Sequence, residues 1–148
     1  MKVIYIAGKY RGPNAWAVEQ NIRADEDVAA RVWAMGVGVR AQGDEARHMD
    51  GVASDEHFLA GTLELMRRCD AVVLVPNWRD SEGARAEVAE AERLGLPMFG
   101  KHCDGDDEDD RRYLQFVAMH RLSAWSRGET LPDNDYDAVI HDAYKLTL

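Results

Sequence analysis

The first apolar run is Lys2-Val3-Ile4-Tyr5-Ile6-Ala7. It is apolar at successive positions, as in a parallel strand buried on both faces. Gly8-Lys9-Tyr10-Arg11-Gly12-Pro13-Asn14 then reads as a turn. A helix is expected from about Ala15 to Met35, with Asn14 as its cap and Gly36 as its stop. Val18, Ile22, Ala29, Val32 and Trp33 give it an apolar stripe at helical spacing. Val37–Ala41 reads as a second strand, and residues 42–54 as a polar loop.

A shorter helix is expected over about Asp55–Arg68, capped by Ser54, with Phe58, Leu59, Leu63, Leu65 and Met66 on its buried side. Ala71–Val75 is the clearest strand, ended by Pro76. Ala84–Leu94 reads as a helix stopped by Gly95, and Leu96–Phe99 as a fourth strand. Strands alternating with helices predict an α/β domain: a Rossmann-like, flavodoxin-like three-layer sandwich on a mostly parallel sheet of about four to five strands. In such sheets ligands bind beyond the carboxyl ends of the strands, where strand order reverses. That directs attention to loops 8–14, 42–55 and 76–83.

The tail is read as an acidic loop followed by helices over about 110–122 and 135–145, with Trp125 and Tyr136 covering the sheet. The six acids between Cys103 and Asp110 lack the spacing and terminal Glu of an EF-hand and read as a solvated charge run. The whole chain, 1–148, is read as one domain.

Composition narrows the function. A net charge of −9 argues against a polymeric nucleic-acid partner, though it leaves room for a nucleotide in a local basic pocket. No apolar run approaches the ~18 residues of a membrane span. The two cysteines, Cys69 and Cys103, lack metal spacing and read as free thiols in a reducing cytoplasm.

Three features look chemical. Glu87 shares a helix side with Ala84, Ala91 and Leu94, the side expected to face the sheet. It is either a pocket carboxylate kept ionised by the helix dipole, or an edge residue with its carboxylate in water. The loop from Gly8 to Gly12, with Lys9 and Arg11 between two glycines, opens a helix. It is either a phosphate cradle or an ordinary turn. Ser81 and Gly83 precede the Glu87 helix, and Ser81 alone reads as a cap.

Together these pieces resemble the nucleoside 2-deoxyribosyltransferase-like superfamily, which includes the 2′-deoxynucleoside 5′-monophosphate N-glycosidases. The matching stretches are Ile4 through Gly12, Leu63-Glu64-Leu65 with Cys69 through Leu74, and Ser81 through Glu87. The resemblance covers about residues 1–100. It implies a Glu nucleophile at Glu87, with Tyr5 as its neighbour near the sugar. Gly8, Lys9, Arg11, Gly12, Thr62, Ser81 and Gly83 fall at substrate-binding positions. It implies cleavage of an N-glycosidic bond without a metal or organic cofactor, on a nucleoside or nucleotide, in a homodimer or higher symmetric oligomer. The apolar surplus of Phe58, Leu59, Leu65 and Met66 adds to that oligomer expectation.

Two positions refine the expectation. Ser81 stands six residues before Glu87, where the nucleoside transferases carry an Asp and the monophosphate hydrolases a Ser. With Arg11 and Lys9, this leans toward a 5′-monophosphate. Thr62 stands eight residues before Asp70, where the family has an Asp that helps protonate the leaving base. A threonine cannot serve as a general acid near neutral pH. Asp55, Glu56, His57 or Glu64 would have to replace it; otherwise the chain is a nucleotide-binding protein of impaired activity.

Overall fold

The computed structural model describes residues 1–41, 49–103 and 107–130. Its elements are β1 (Val3–Ala7), α1 (Ala15–Trp33), β2 (Gly38–Ala41), α2 (Asp55–Arg67), β3 (Ala71–Leu74), a 3₁₀ turn (Trp78–Asp80), α3 (Glu82–Leu94), β4 (Met98–Phe99) and α4 (Glu108–Ser126). The four strands form one all-parallel sheet in the order β2-β1-β3-β4. The expected α/β layering is therefore observed. Strand order reverses between β1 and β3, whose register pairs Ile4 with Ala71 and Ala7 with Leu74.

Alternate residues of β1 feed two cores. Ile4 and Ile6 pack with Val28, Ala29 and Val32 of α1 and with Leu122 of α4. Tyr5 and Ala7 pack on the other face with Met66 of α2 and with Ala84, Val88 and Ala91 of α3. Trp125 stacks obliquely on Phe99, ring centroids 5.8 Å apart, so it covers the sheet as expected.

The caps follow the chemistry of the sequence. The side chains of Asn14, Ser54 and Ser81 accept from the backbone N–H groups of Ala17, His57 and Ala84, satisfying donors that a helix start leaves open. Gly95 ends α3 in the left-handed region, with φ +68°.

Several details differ from expectation. Trp33 ends α1 on the solvent side, 55% exposed, and is not part of the buried stripe. Leu94 is 39% exposed and does not share the buried side of Ala84, Glu87 and Ala91. α3 starts two residues earlier than expected, with Ser81 as cap, which puts Glu87 in its second turn. The acidic run is partly a helix start. Asp107 caps α4, and Glu108, Asp109 and Asp110 fill its first turn, where the dipole favours negative charge. α4 then continues to Ser126. The helix expected over 135–145, and Tyr136 within it, lie outside the described residues, as do residues 42–48 of the polar loop. Among the described residues no helix is long and apolar enough to cross a membrane.

Candidate functional site

A cleft of about 730 Å³ opens at the carboxyl end of the sheet. Three chain segments wall it. Lys9, Tyr10 and Arg11 come from the loop after β1. Asp80, Ser81, Glu82, Gly83 and Ala86 come from the start of α3. Residues from Met49 through Leu65, with α2 at their centre, form the third wall. The backbone N–H of Lys9 donates to Oδ1 of Asn77 at 3.0 Å, tying the first two segments together at the point where strand order reverses.

Glu87 is fully buried on α3, at 0% exposure, beside the equally buried Tyr5 of β1. It is not among the cleft-lining residues; its neighbours Gly83 and Ala86 are. Its carboxyl is pushed up to about 8, chiefly by burial. A hydrogen bond with Tyr5 works against the rise, and the charge of Asp25 adds to it. The expectation that the helix dipole keeps Glu87 ionised is thus overturned. In the second turn, and dry, the carboxyl loses more from desolvation than a helix end contributes. At neutral pH it carries its proton.

Asp25 was not legible as a site residue, although a signal existed. It stands three residues after Ile22 and four before Ala29, an acid on the apolar stripe of α1. It is 1% exposed. Gly8 makes room for it. A Cβ on Gly8 would lie 2.3 Å from Oδ1 of Asp25 and 2.9 Å from a methyl of Val75. Gly12 is similarly crowded, by Ala17 at 2.7 Å. Neither glycine has a positive φ, so close approach, not turn geometry, is what demands them.

The cations expected for phosphate do reach the cleft, but Arg11 is paired with Asp55 of α2 across it, and both side chains are exposed. Beside that pair, the Tyr10 hydroxyl donates to Asp50 at 3.2 Å. The lining carries Asp50, Asp55, Glu56, Asp80 and Glu82 against Lys9 and Arg11, so its formal charge is acidic. The helix starts presented to the cleft are those of α2 and α3; residues 12–17, at the start of α1, do not line it. Ser81 lines the cleft and also caps α3, its Oγ accepting from Ala84 at 3.1 Å. That cap uses a lone pair and leaves the hydroxyl proton for a ligand.

Thr62 is buried in the α2 wall, and its hydroxyl donates to the Leu59 carbonyl at 3.1 Å. Of the acids considered in its place, Asp55, Glu56 and His57 line the cleft. Glu64 does not, and is held by Arg67 and Arg68. Phe58, Leu59 and Leu65 are half-buried cleft residues and Met66 is core. The apolar surplus of α2 therefore has a use within one chain. Across the outer side of the two helices, Glu90 of α3 is bonded by Arg93 and Arg67, which together pull its carboxyl down to about 2. Among the described residues no group of His, Cys, Asp or Glu could hold a metal ion.

Residues 2–99 match a family described as a domain of unknown function, DUF4406. The match spans the sheet, α1 to α3 and every residue named above in the cleft. No curated protein matches the chain.

Proposed function

The chain belongs to the DUF4406 family, and we propose that it cleaves the N-glycosidic bond of a nucleoside or deoxynucleoside 5′-monophosphate, with Glu87 as the reacting carboxyl. The observation that carries this reading is the buried pair of Glu87 and Tyr5 beside a nucleotide-sized cleft at the reversal point of a parallel sheet. A dry carboxyl on a rigid helix is the group expected to meet positive charge developing on a sugar.

In the proposed step, an oxygen of ionised Glu87 attacks C1′ while the C1′–N bond breaks. The bonding electron pair leaves with the base, which takes up a proton. The resulting glycosyl ester is cleaved by water, or by a second base in a transfer. Tyr5 orients the carboxyl. Arg11, Lys9, the Ser81 hydroxyl and the start of α3, with its amides at Gly83, receive the phosphate. Since Glu87 does not line the cleft, ligand entry has to shift the wall at Gly83 and Ala86. Cleavage needs no metal or organic cofactor in this scheme. The substrate is a small molecule and not a nucleic-acid polymer, and the setting is a reducing cytoplasm, consistent with the two buried free thiols.

A second reading follows from Thr62. Its hydroxyl is committed to its own helix, so this position supplies no proton to a leaving base. A chain lacking that acid binds the nucleotide without turning it over. Incubation with each nucleoside 5′-monophosphate, followed by chromatography for free base, separates the two readings. The enzyme releases base, and Glu87→Ala lowers the rate at least ~100-fold, the scale of losing a covalent group. Tight binding with no base released from any nucleotide establishes the binding protein instead.

A further inference from the structure

The proposed cleavage leaves one bond change unassisted. When the C1′–N bond breaks, its electron pair stays with the base, and an ordinary neutral base departs as an anion unless a proton reaches it. The cleft is poor in groups that could deliver one. The Thr62 hydroxyl donates to its own helix, at the Leu59 carbonyl, 3.1 Å away. The Tyr10 hydroxyl donates to Asp50, and partial burial together with the charge of Asp50 holds its pKa above the ordinary tyrosine value. Asp55 is paired with Arg11. Glu56 and His57 are exposed on the first turn of α2, roughly 7–9 Å of helix rise from Thr62.

The same cleft favours positive charge. Its lining sets Asp50, Asp55, Glu56, Asp80 and Glu82 against Lys9 and Arg11. A cleft lined mainly by one sign of charge concentrates ligands of the other. Phe58 and Tyr10 also line it, and aromatic faces attract a cationic ring. A nucleotide with a neutral base brings only negative charge to these walls.

We propose that the substrate is a nucleoside 5′-monophosphate with a cationic aromatic base of the pyridinium type, which leaves as a neutral ring and needs no proton. The inference rests on Glu87 being the reacting carboxyl of the site. An oxygen of ionised Glu87 bonds to C1′ as the C1′–N⁺ bond breaks. The electron pair passes to the ring nitrogen and cancels its charge. Water then attacks C1′ of the glycosyl ester, Glu87 departs as a carboxylate, and the water's proton goes to solvent. On this substrate Thr62 is no defect, because the position where a leaving-group acid is expected has no proton to deliver. The positive ring also favours the ionised form of Glu87, so binding helps to draw the carboxyl into its reactive state.

The test is to incubate the full chain with nicotinamide mononucleotide, a pyridinium 5′-monophosphate, and in parallel with adenosine, guanosine, cytidine and uridine 5′-monophosphates and their deoxy forms. Released base is followed by chromatography. The kcat/KM for the pyridinium compound is expected to exceed that of every neutral-base nucleotide by at least ~100-fold, the lower end of what a general acid contributes. A smaller margin overturns the inference and leaves the glycosidase reading in place. Release of base from none of these compounds overturns both together. Binding gives a readout free of leaving-group reactivity. In Glu87→Gln at low salt, calorimetry should show nicotinamide mononucleotide binding at least ~10-fold more tightly than its reduced form, whose ring is uncharged, with the margin shrinking as salt is added. Equal binding of the two forms overturns the inference.

Discussion

At the scale of single residues, the proposed chemistry and its pH response both rest on Glu87. Its folded carboxyl lies near 8, against 4.5 ordinarily, so at neutral pH the reactive form is the minority. The kcat/KM for base release should therefore rise with pH and level off only above about 8. The same shift acts on stability. Between 4.5 and 8 the folded state holds a proton that the unfolded chain has lost, so this group's contribution falls as pH rises through that window. Glu87→Gln, which keeps the shape and cannot ionise, should flatten the decline. At pH 8.5 the variant should be more stable than the parent by a few kcal/mol, read by urea unfolding. A parent curve that does not fall between pH 5 and 8 would contradict the burial argument.

At the scale of elements, the loop after β1 and the start of α2 are joined across the cleft by Arg11–Asp55 and Tyr10–Asp50. In the proposed complex a phosphate must take Arg11 from Asp55. Exposed pairs of this kind contribute only ~0–1 kcal/mol, so the exchange is easy for a dianion. Calorimetry should show the 5′-monophosphate binding more tightly than its nucleoside. Arg11→Ala should remove most of that difference. Asp55→Asn, which frees the guanidinium, should tighten monophosphate binding by about 2–5-fold, the most a surface pair can withhold. If nucleoside and monophosphate bind equally, Ser81 is a helix cap alone and the phosphate assignment falls.

At the scale of the whole molecule, two carboxyls with opposite shifts shape the pH profile. Glu90, held near 2 by Arg93 and Arg67, adds stability above 4.5 that is lost as pH falls toward 2. Glu87 subtracts stability above 4.5. Thermal unfolding scanned across pH should peak on the acid side of neutrality, and Glu87→Gln should move the peak upward. A symmetric dimer is a further proposal. It now rests on the family resemblance, since Phe58, Leu59 and Leu65 wall the cleft of one chain. Light scattering at micromolar concentration should give twice the 16.6 kDa chain mass, or a higher multiple for a larger symmetric assembly, and a single chain mass would contradict it.

The sequence by itself determined the order of elements, because apolar periodicity and the caps at Asn14, Ser54 and Ser81 are local properties of the chain. It also marked Glu87 as a carboxyl on a sheet-facing side, since that follows from helical spacing to Ala84 and Ala91. What the tertiary structure decided concerns distances between elements far apart in sequence. The protonated state of Glu87 depends on how completely α2, α3 and β1 exclude water. The pairing of Arg11 with Asp55 depends on the width of a cleft between two loops. Asp25 was visible as an acid on an apolar stripe, but the space its carboxylate occupies depends on how α1 packs against the end of β1, where Gly8 carries no side chain. Local pattern fixes which face of a helix is buried. Only the packed sheet fixes how completely water is excluded from a buried group, and in a dry interior that exclusion sets its charge.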